Sequence, residues 1–419
     1  MTGKEKLEQA FKHEDGPILF DIGAMPTTGM HCEVVGKLRD FYGLEKRHVK
    51  IIEPMQLLGQ IEDDLKEAMG IQTSPLWSKF SIFGFRQSDK YKEWRTPWGQ
   101  DILVSDEFEI STDLKGDMLL YPCGDRNSQP SGRMAEGSYY FDIIDRAPAF
   151  DEENYRVEDN FEDFSSVSQE DLDWFKAKAG KLKDTQDVVT GNLGGTAIGD
   201  VAMISGPQLR LPKGLRDLTE WYMSIKLRPE KLHEIFSYQT DLAIDNLKKI
   251  HAVLGETIQI AYICGTDFGT QNGPFCSRDT FLSLYSPYYR RINGWIHENT
   301  SWKTFKHCCG SIYPLISDLV DSGFDILNPV QWTAKDMDKN ILKSSFGDRL
   351  VFWGGGIDTQ KTLPFGTSKD VFKEALECCR IFGKKGGFIF NTIHNIQPGV
   401  PVENVAALAD AVRTFNGEQ

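Results

Sequence analysis

Short runs of apolar and β-branched residues recur along the chain, and each is followed by Gly, Pro, Asn or Asp and then by a helical pattern. Alternating strands and helices of this kind are typical of an α/β fold with a parallel sheet. Seven runs predict strands: Ile18 to Ile22, Val188 to Asn192, Ile258 to Ile263, Trp302 to His307, Ile326 to Val330, Leu350 to Gly354 and Gly387 to Asn391. A weaker run, Met203 to Gly206, is an eighth candidate. Together these units predict a closed (β/α)8 TIM barrel.

Helical periodicity fills the spaces between several of these strands. The predicted helices are Leu218 to Lys226, Pro229 to Leu254, Arg278 to Asn299, Ile312 to Ser322, Lys369 to Phe382 and Glu403 to Phe415. The chain has 419 residues, and α/β barrels with insertions commonly reach this length as one domain. We therefore expect residues 1–419 to form a single TIM-barrel domain.

One region, between Thr73 and Asp145, interrupts this rhythm. It contains polar and aromatic stretches broken by turn residues, such as Lys92 to Gln100 and Gly137 to Asp142. The pattern predicts an antiparallel β excursion, residues 73–145, that is inserted in the N-terminal third and covers one end of the barrel. There it would cover a pocket or meet a second subunit. The alternative is an insertion that never contacts substrate.

The composition, with 40% hydrophobic and 26% charged residues, is that of a globular enzyme. The net charge of -14 argues against nucleic acid and against an anionic membrane surface, because both attract clustered Lys and Arg. A small molecule or another protein is the expected partner. The charged amino terminus and the lack of a long apolar run predict a cytoplasmic protein. Eight irregularly spaced cysteines predict free thiols or metal ligands.

The candidate chemistry is densest after the apolar run Trp302 to Phe305. His307 and Cys309 follow that run two residues apart. Because side chains two apart on a strand share a face, the two are expected to converge at the carboxyl end of the strand while Cys308 points elsewhere. A zinc ion is the natural ligand of such a pair. A hydrogen-bonded histidine beside ordinary buried cysteines is the alternative.

Further polar residues lie at predicted carboxyl ends of strands, and a barrel brings all such ends to one mouth. Candidates for catalysis are Asp267, His307, Asp358 and His394, and candidates for substrate binding are Asp21, Asn192, Gln271, Asn328, Gln331 and Trp353. Any one of them taken alone is more often a loop cap or a packing residue, so the prediction depends on their shared placement. Catalytic zinc usually keeps three protein ligands, and His394 is the first candidate to join His307 and Cys309. A histidine that orients substrate is its alternative role.

Zinc at such a mouth would hold a bound thiol as thiolate or stabilise negative charge on the oxygen that leaves an ether. Both effects help to move a methyl group. The sequence lacks Gly-x-x-x-x-Gly-Lys-Ser/Thr, and Gly354-Gly355-Gly356 lacks the spacing of a dinucleotide fingerprint. Nucleotide chemistry is therefore not indicated.

The same residues resemble the uroporphyrinogen decarboxylase superfamily, in particular its corrinoid-dependent methyltransferase branch. The resemblance covers most of the chain and is densest between Asp267 and Val402. It rests on Asp-Phe-Gly-Thr-Gln from Asp267, His-Cys-Cys-Gly from His307, Asp-Ile-Leu-Asn-Pro-Val-Gln from Asp325, Trp-Gly-Gly-Gly-Ile-Asp from Trp353 and His-Asn-Ile-Gln from His394. It implies a (β/α)8 barrel with its pocket at the carboxyl ends of the strands.

The resemblance also implies zinc, and cobalamin carried by a separate corrinoid protein. In similar methyltransferases a His-x-Cys pair and a distant Cys bind the metal. His307 and Cys309 match the pair, whereas His394 stands where the distant cysteine is expected. True porphyrinogen decarboxylases carry an arginine-rich amino-terminal segment, but Ile18 to Pro26 contains no arginine, so haem biosynthesis is not expected. A homodimer is a further expectation from the family.

These features predict a methyltransferase that moves a methyl group between a methylated small molecule and the corrinoid protein. Methoxylated aromatics are the leading substrates, which would make the protein an O-demethylase, and methylamines or methylthiols come next. The alternative is a metal-free decarboxylase or lyase that uses Asp21, Asp267 and His394 on a carboxylated substrate. A non-catalytic barrel that binds its ligand without turnover is a third interpretation.

Overall fold

The computed structural model describes residues 1–88 and 90–418 and has a sheet of eight parallel strands at its centre. In chain order these strands are Leu19–Phe20, Thr73–Trp77, Val188–Asn192, Ile260–Cys264, Lys303–His307, Ile326–Asn328, Val351–Trp353 and Phe388–Phe390. From the second strand onward each pairs with its successor, and the last pairs with the first. Consecutive parallel pairing of this kind is the topology of a βα barrel.

The first two strands approach each other through isolated contacts. The backbone N–H of Gln72 donates to the carbonyl of Phe20 at 3.2 Å, and Thr73 Oγ1 donates to Asp21 Oδ1 at 2.7 Å. These contacts bring the two ends of the sheet together, so the barrel is nearly closed. The predicted α/β class, a (β/α)8 TIM barrel, is confirmed.

Helices form the outer layer of the barrel. They are Gly3–Phe11, Cys32–Phe41, Asp63–Met69, Gln169–Leu182, Val201–Ile204, Leu218–Leu227, Pro229–Leu254, Arg278–Thr280, Ser286–Asn299, Tyr313–Asp321, Lys339–Phe346, Thr362–Phe365, Ser368–Phe382 and Val402–Asn416, with a π turn Phe281–Tyr285 and 3-10 turns Pro122–Gly124, Val157–Asn160 and Gly255–Thr257. All six helices predicted from periodicity are present, with ends that differ by a few residues. Among the helices within residues 1–88 and 90–418, none is both long enough and apolar enough to cross a membrane.

The prediction of a weak strand at Met203 to Gly206 is wrong. Residues Val201–Ile204 form a short helix instead, and the carboxylate of Asp200 caps it by accepting the Ala202 N–H at 3.1 Å. An Asp at this position stabilises the first turn of a helix, because it satisfies an N–H that has no partner within the helix. The apolar residues of the run therefore pack as one helical turn.

The sequence pattern did not identify one barrel strand, Thr73–Trp77, which is the second along the chain. It contains Pro75, and proline argues against a central strand because it cannot donate to a ladder. This strand forms a regular ladder on one side only, with Val188–Asn192. Its other side meets the first strand through the isolated contacts described above, which is where a missing N–H is tolerated.

Two small sheets lie outside the barrel. One is antiparallel and consists of Ile110–Thr112, Met118–Leu120, Gly132–Met134 and Asp142–Ile143. The other consists of Val49–Glu53, Leu58–Gly59, Tyr91–Arg95 and Asp101–Ser105, and only its pair Val49–Glu53 with Asp101–Ser105 is parallel. Strands that pair mostly antiparallel thus occupy the predicted excursion 73–145, apart from its first five residues, which belong to the barrel.

An apolar cluster fills the inside of the barrel. It includes Leu19, Val188, Ile260, Phe305, Ile326, Val351, Trp353 and Ile389. Because Phe305 points inward, His307 two residues later projects to the same side at the carboxyl end of its strand. Lys306, between them, projects toward the helical layer, where its ammonium group lies over the ring of Phe268. The alternation of this one strand therefore sets which side chains reach the mouth.

Candidate metal and substrate site

Three predicted metal ligands meet at the carboxyl end of the barrel. His307 ends the strand Lys303–His307, Cys309 follows two residues later, and His394 follows the strand Phe388–Phe390. One donor atom from each residue lies within 4.8 Å of the other two. His307 Nε2 and Cys309 Sγ are 3.3 Å apart, and the two imidazole centroids are 5.5 Å apart in a T-shaped arrangement. We call these residues the ligand triad.

The ligand triad fits zinc in the chemistry of its donor atoms and in the spacing of His307 and Cys309. Two imidazole nitrogens and one thiol are preferred zinc ligands, and a tetrahedral site separates neighbouring donor atoms by about 3.5 Å. The distance between His307 Nε2 and Cys309 Sγ is close to that value. Three protein ligands leave one tetrahedral position open, as in catalytic zinc sites. The donor set of the triad is therefore the kind found in catalytic zinc sites with one open position.

Asn328 fixes the orientation of His307. Its Nδ2 donates to the carbonyl of Trp353 at 2.8 Å, so its Oδ1 must face the imidazole. That oxygen is 2.6 Å from His307 Nδ1, which therefore carries the proton and donates it. Nε2 is left with its lone pair pointing toward Cys309. Such outer partners set the tautomer and the ring orientation of metal-binding histidines.

Asp267 fixes the loop that carries Cys309. It follows the neighbouring strand Ile260–Cys264, and its Oδ1 accepts the backbone N–H of Cys309 at 2.6 Å. The same oxygen is 3.8 Å from His307 Nε2. This carboxylate therefore adds negative charge beside the ligand triad and joins two barrel strands at the point where the ligands emerge.

Burial sets the protonation of the ligand triad. It lowers the pKa of His394 to about 4, with nearby His307 adding to the effect, and it also lowers the pKa of His307. Both imidazoles are therefore neutral near neutral pH and offer a lone pair. Burial and the Asp267 carboxylate raise the pKa of the Cys309 thiol well above its usual value. A bound cation would have to displace the thiol proton.

Lys306 supports the site and was missed by the sequence reasoning. Its side chain is fully buried, and its ammonium group donates to the carbonyl of His307 at 2.6 Å and to the carbonyl of Thr266. Those carbonyls belong to a triad residue and to the residue before Asp267. The ammonium group therefore links the ends of two neighbouring strands. A lysine inside an otherwise apolar strand was the available indication, because buried lysines need specific partners.

Two predicted substrate-binding amides have different surroundings. Asn192 Nδ2 donates to the carbonyl of Ala24 at 3.3 Å, but its Oδ1 is buried without a hydrogen-bond partner. An unpartnered buried amide oxygen is uncommon in folded proteins. Gln331 instead supports the loop after Cys309, because its Oε1 accepts the N–H of Gly310 at 2.7 Å.

Asp21 and Trp353 form a network inside the barrel. Both are 0% exposed, and Trp353 Nε1 donates to Asp21 Oδ2 at 2.8 Å. The other carboxyl oxygen accepts the Thr73 hydroxyl and the Ala24 N–H. Burial raises the pKa of Asp21 to about 6, although these hydrogen bonds favour its carboxylate. The structure thus places both residues beneath the mouth, without access to solvent.

The last two predicted site residues, Asp358 and Gln271, lie in loops and make contacts unrelated to the ligand triad. Asp358 Oδ1 accepts the N–H groups of Gln360 at 2.7 Å and Lys361 at 3.2 Å, so its carboxylate caps a turn. Gln271 is exposed in the loop after the strand Ile260–Cys264. Among the hydrogen bonds found in residues 1–88 and 90–418, none joins either side chain to the ligand triad.

A cavity of about 610 Å³ opens between the excursion and the helix Leu218–Leu227. Its lining includes Met55, Gln56, Tyr140, Phe141, Tyr222 and Gln397, and we call it the mouth cavity. On one side it borders the segment of His394, because Gln56 Oε1 accepts a hydrogen bond from Asn395 at 3.1 Å. On another side Tyr222 is near Asp267, whose charge adds to the effect of burial in raising the pKa of Tyr222. The volume suits a small organic molecule.

Comparisons with known proteins agree with this architecture. The family model described as uroporphyrinogen decarboxylase (URO-D) matches residues 182–415, more than half of the chain. A uroporphyrinogen decarboxylase of Coxiella burnetii (strain RSA 493 / Nine Mile phase I) is 28% identical over 101 residues, 24% of this chain and 26% of that protein. A uroporphyrinogen decarboxylase of Anaeromyxobacter sp. (strain Fw109-5) is 41% identical over 61 residues, 15% and 17% of the two chains. The chain thus matches about a quarter or less of the length of these relatives.

A solved structure shares the fold over nearly the whole chain. It is a methyltransferase from Methanosarcina mazei, with a TM-score of 0.54, 16% sequence identity and coverage of 99% of both chains. At this level of identity the likeness concerns the fold. The match to the family model covers the strands that carry Asn192, Asp267, the ligand triad and Asn328. The expected family is confirmed: the chain belongs to the uroporphyrinogen decarboxylase family.

Proposed function

We propose that this protein is a methyltransferase that moves a methyl group between a methylated small molecule and a corrinoid protein, with zinc held by the ligand triad. The observation that carries the proposal is the convergence of two imidazole nitrogens and one thiol within 4.8 Å at the mouth of the barrel. Membership of this family and the shared fold with a Methanosarcina mazei methyltransferase support the same activity.

The chain's own residues prepare this chemistry. When bound, zinc would supply a Lewis acid that polarises a substrate oxygen or holds a sulfur as thiolate. His307 keeps Nε2 free, because its Nδ1–H is held by Asn328. Asp267 holds the loop of Cys309 through the 2.6 Å backbone hydrogen bond. Asn192 Oδ1 offers an acceptor to a donor group of the substrate.

Methoxylated aromatic compounds are the substrates we favour, and an O-demethylase reaction would follow. The mouth cavity offers apolar and aromatic surface from Met55, Tyr140, Phe141 and Tyr222. Aromatic walls of this kind gain from stacked or edge-to-face contact with a substrate ring. A volume of about 610 Å³ also exceeds what one aromatic ring needs, which leaves room for substituents.

A separate corrinoid protein is required by this proposal. The sequence contains no Asp-x-His-x-x-Gly motif with which to hold a corrinoid itself. The net charge of -14 favours a carrier domain that presents a basic docking surface. Retention of a purified corrinoid carrier on the immobilised protein, weakening as salt is added, is the expected result, and its absence would argue strongly against this activity.

The decisive experiment combines metal analysis with a transfer assay. Purified protein should contain about one zinc per chain, as expected for a three-ligand catalytic site. Incubated with a reduced corrinoid carrier and a methoxylated aromatic, it should release the phenol and change the corrinoid absorbance, and chelation of zinc should stop both. Turnover without carrier or zinc contradicts the proposal. Release of carbon dioxide from a carboxylated substrate by zinc-free protein would instead establish the lyase.

A further inference from the structure

The mouth cavity is lined by acids and contains no basic side chain among its lining residues in the described ranges. Two of those residues are Asp142, in the last strand of the excursion, and Asp145, three residues later. Gln56, Gln397, Ser205 and the two tyrosine hydroxyls supply the other polar groups, and all are uncharged. The wall formed by Asp142, Asp145, Tyr140 and Tyr222 is called the acidic wall below.

Two neighbouring arginines make their hydrogen bonds away from the acidic wall. One of them, Arg133, stands opposite Asp142 in the sheet and donates to Asp117 Oδ2 at 2.6 Å. Arg146 adjoins Asp145 in the chain, but its guanidinium donates to the carbonyl of Gly206 at 2.6 Å and to the carbonyl of Gln129 at 3.4 Å. The carboxyl group of Asp145 lies beside that of Asp217. Partial burial and this neighbouring carboxyl raise the pKa of Asp145, against the effects of its hydrogen bond from Ala147 and of the positive charge of Arg146. Two acids that repel each other are stabilised by a cation placed between them.

Exposed aromatic rings complete the acidic wall from two elements of the chain. Tyr140 of the excursion is 39% exposed, and Tyr222 of the helix Leu218–Leu227 is 40% exposed. Large exposed rings beside carboxylates form the arrangement that binds organic cations, because the ring faces are electron-rich. A carboxylated substrate would meet the like charges of Asp142 and Asp145 in the same place.

We propose that the substrate carries a positively charged ammonium group remote from its methyl group, and that the acidic wall binds it. This inference rests on the proposed methyl transfer for the identity of the reacting end. The acidic wall selects the other end by charge and by contact with Tyr140 and Tyr222. Substrates such as methoxylated phenethylamines satisfy both requirements, whereas methoxybenzoates and related anions do not.

The test compares three probes that share a methoxyphenyl group and differ at the end of the side chain: an ethylamine, an ethanol and a propionate. Isothermal titration calorimetry on the metal-loaded protein and on the chelated protein measures binding without requiring turnover. The amine should bind at least about tenfold more tightly than the propionate, with the alcohol between them. The preference should weaken as salt is added, because the acidic wall is open to solvent.

Variants then assign the preference to the acidic wall. In the Asp142→Asn/Asp145→Asn double variant the amine and the propionate should bind within about twofold of each other, and the alcohol should be unaffected. The control variant, Asp173→Asn/Asp184→Asn, changes the net charge equally at exposed positions in and after the helix Gln169–Leu182, and it should keep the preference.

The outcomes separate this inference from the proposed function. Equal or tighter binding of the propionate, no measurable binding of the amine at millimolar concentration, or an unchanged preference in the double variant would each overturn the acidic wall as a cation site. If the propionate loses its methyl group to the corrinoid carrier while the amine does not, the inference fails and methyl transfer stands. If binding follows the prediction but no probe is demethylated, the cation site stands and methyl transfer fails.

Discussion

The ligand triad and the acidic wall are held in different ways. His307 is almost fully buried, and its ring is fixed by an amide whose other hydrogen bond is also made. Asp142 and Asp145 are exposed and come from the end of a small antiparallel sheet outside the barrel. The barrel thus presents a buried group with one orientation, and the excursion presents groups that are exposed to solvent.

This difference suggests a division of roles between the two regions. A metal centre requires donor atoms held to within a fraction of an ångström, and strand ends with buried partners provide that precision. Recognition of a remote charged group tolerates more freedom, because electrostatic attraction falls slowly with distance. Changes at the barrel end should therefore have large effects on metal binding, and changes in the acidic wall should have smaller effects, on the affinity for substrate.

The largest expected effect comes from removing one ligand. Cys309→Ala should weaken zinc binding by about 4 kcal/mol, because it removes the only thiolate from a three-ligand site. Titration of zinc against a competing chelator measures the change. Cys308→Ala is the matched control, since the neighbouring thiol is buried away from the triad, where it accepts the N–H of Phe268. Equal zinc affinity of wild type and Cys309→Ala would remove Cys309 from the site.

The second effect is a pH dependence of the free energy of unfolding, and it comes from Glu53. Glu53 is buried, and its carboxylate accepts the N–H groups of Met55 and Gln56, each at 2.8 Å. Burial raises its pKa to about 7 from 4.5. Between these values the folded protein keeps a proton that the unfolded chain has lost. The free energy of unfolding should therefore fall by about 3 kcal/mol as pH rises through this window.

Glu53→Gln isolates this contribution, because glutamine does not titrate. The unfolding free energy of wild type minus that of the variant, from denaturant titrations, should decrease by about 3 kcal/mol between about pH 4.5 and pH 8. Glu298→Gln, on an exposed position of the helix Ser286–Asn299, is the control for removal of one carboxylate. A difference for Glu53→Gln that does not change with pH would mean that this carboxyl is hydrated in solution.

The barrel and the meeting of His307, Cys309 and His394 could be predicted, because both follow from the placement of apolar strands and of the residues that end them. Apolar runs placed most strands, and the period of two along Lys303–His307 put His307 at the mouth. The strand Thr73–Trp77 was not predicted because Pro75 is unusual in a central strand. The proline is tolerated because this strand forms a regular ladder on one side only, with Val188–Asn192, a segment that is distant in sequence.

The hydrogen-bond network behind the site could not be predicted for a related reason. Asn328 was expected to bind substrate, but its amide joins His307 to the carbonyl of Trp353. Asp21 was expected at the mouth, but its carboxyl is enclosed by Thr73 and Trp353. These partners lie on separate strands, so sequence spacing carries no information about them. Residue type indicated that such side chains need partners, and only the fold identifies which.

The third prediction tests whether the barrel end is as rigidly organised as its contacts indicate. Asn328→Leu keeps the approximate size of the side chain and leaves His307 Nδ1 without its acceptor. Zinc affinity should fall by about 2 kcal/mol, within the usual range for an outer partner of a ligand histidine. Asn293→Leu is the control, since Asn293 is equally buried and donates to the carbonyl of Ser322 in the helical layer. It should lose stability but not zinc affinity.

The smallest expected effect is on the affinity of the acidic wall for the amine probe. Variants of Tyr222 show whether the electron-rich face of its ring or only its apolar area contributes. Tyr222→Leu should weaken binding of the methoxyphenyl-ethylamine probe by about 0.5–1 kcal/mol, because leucine is apolar but has no such face. Tyr222→Phe keeps the ring and should bind the amine nearly as well as wild type. The neutral alcohol should bind both variants about equally. If the leucine and phenylalanine variants bind the amine equally well by calorimetry, Tyr222 contributes only apolar contact area. The carboxylates of Asp142 and Asp145 would then be responsible for recognising the cation.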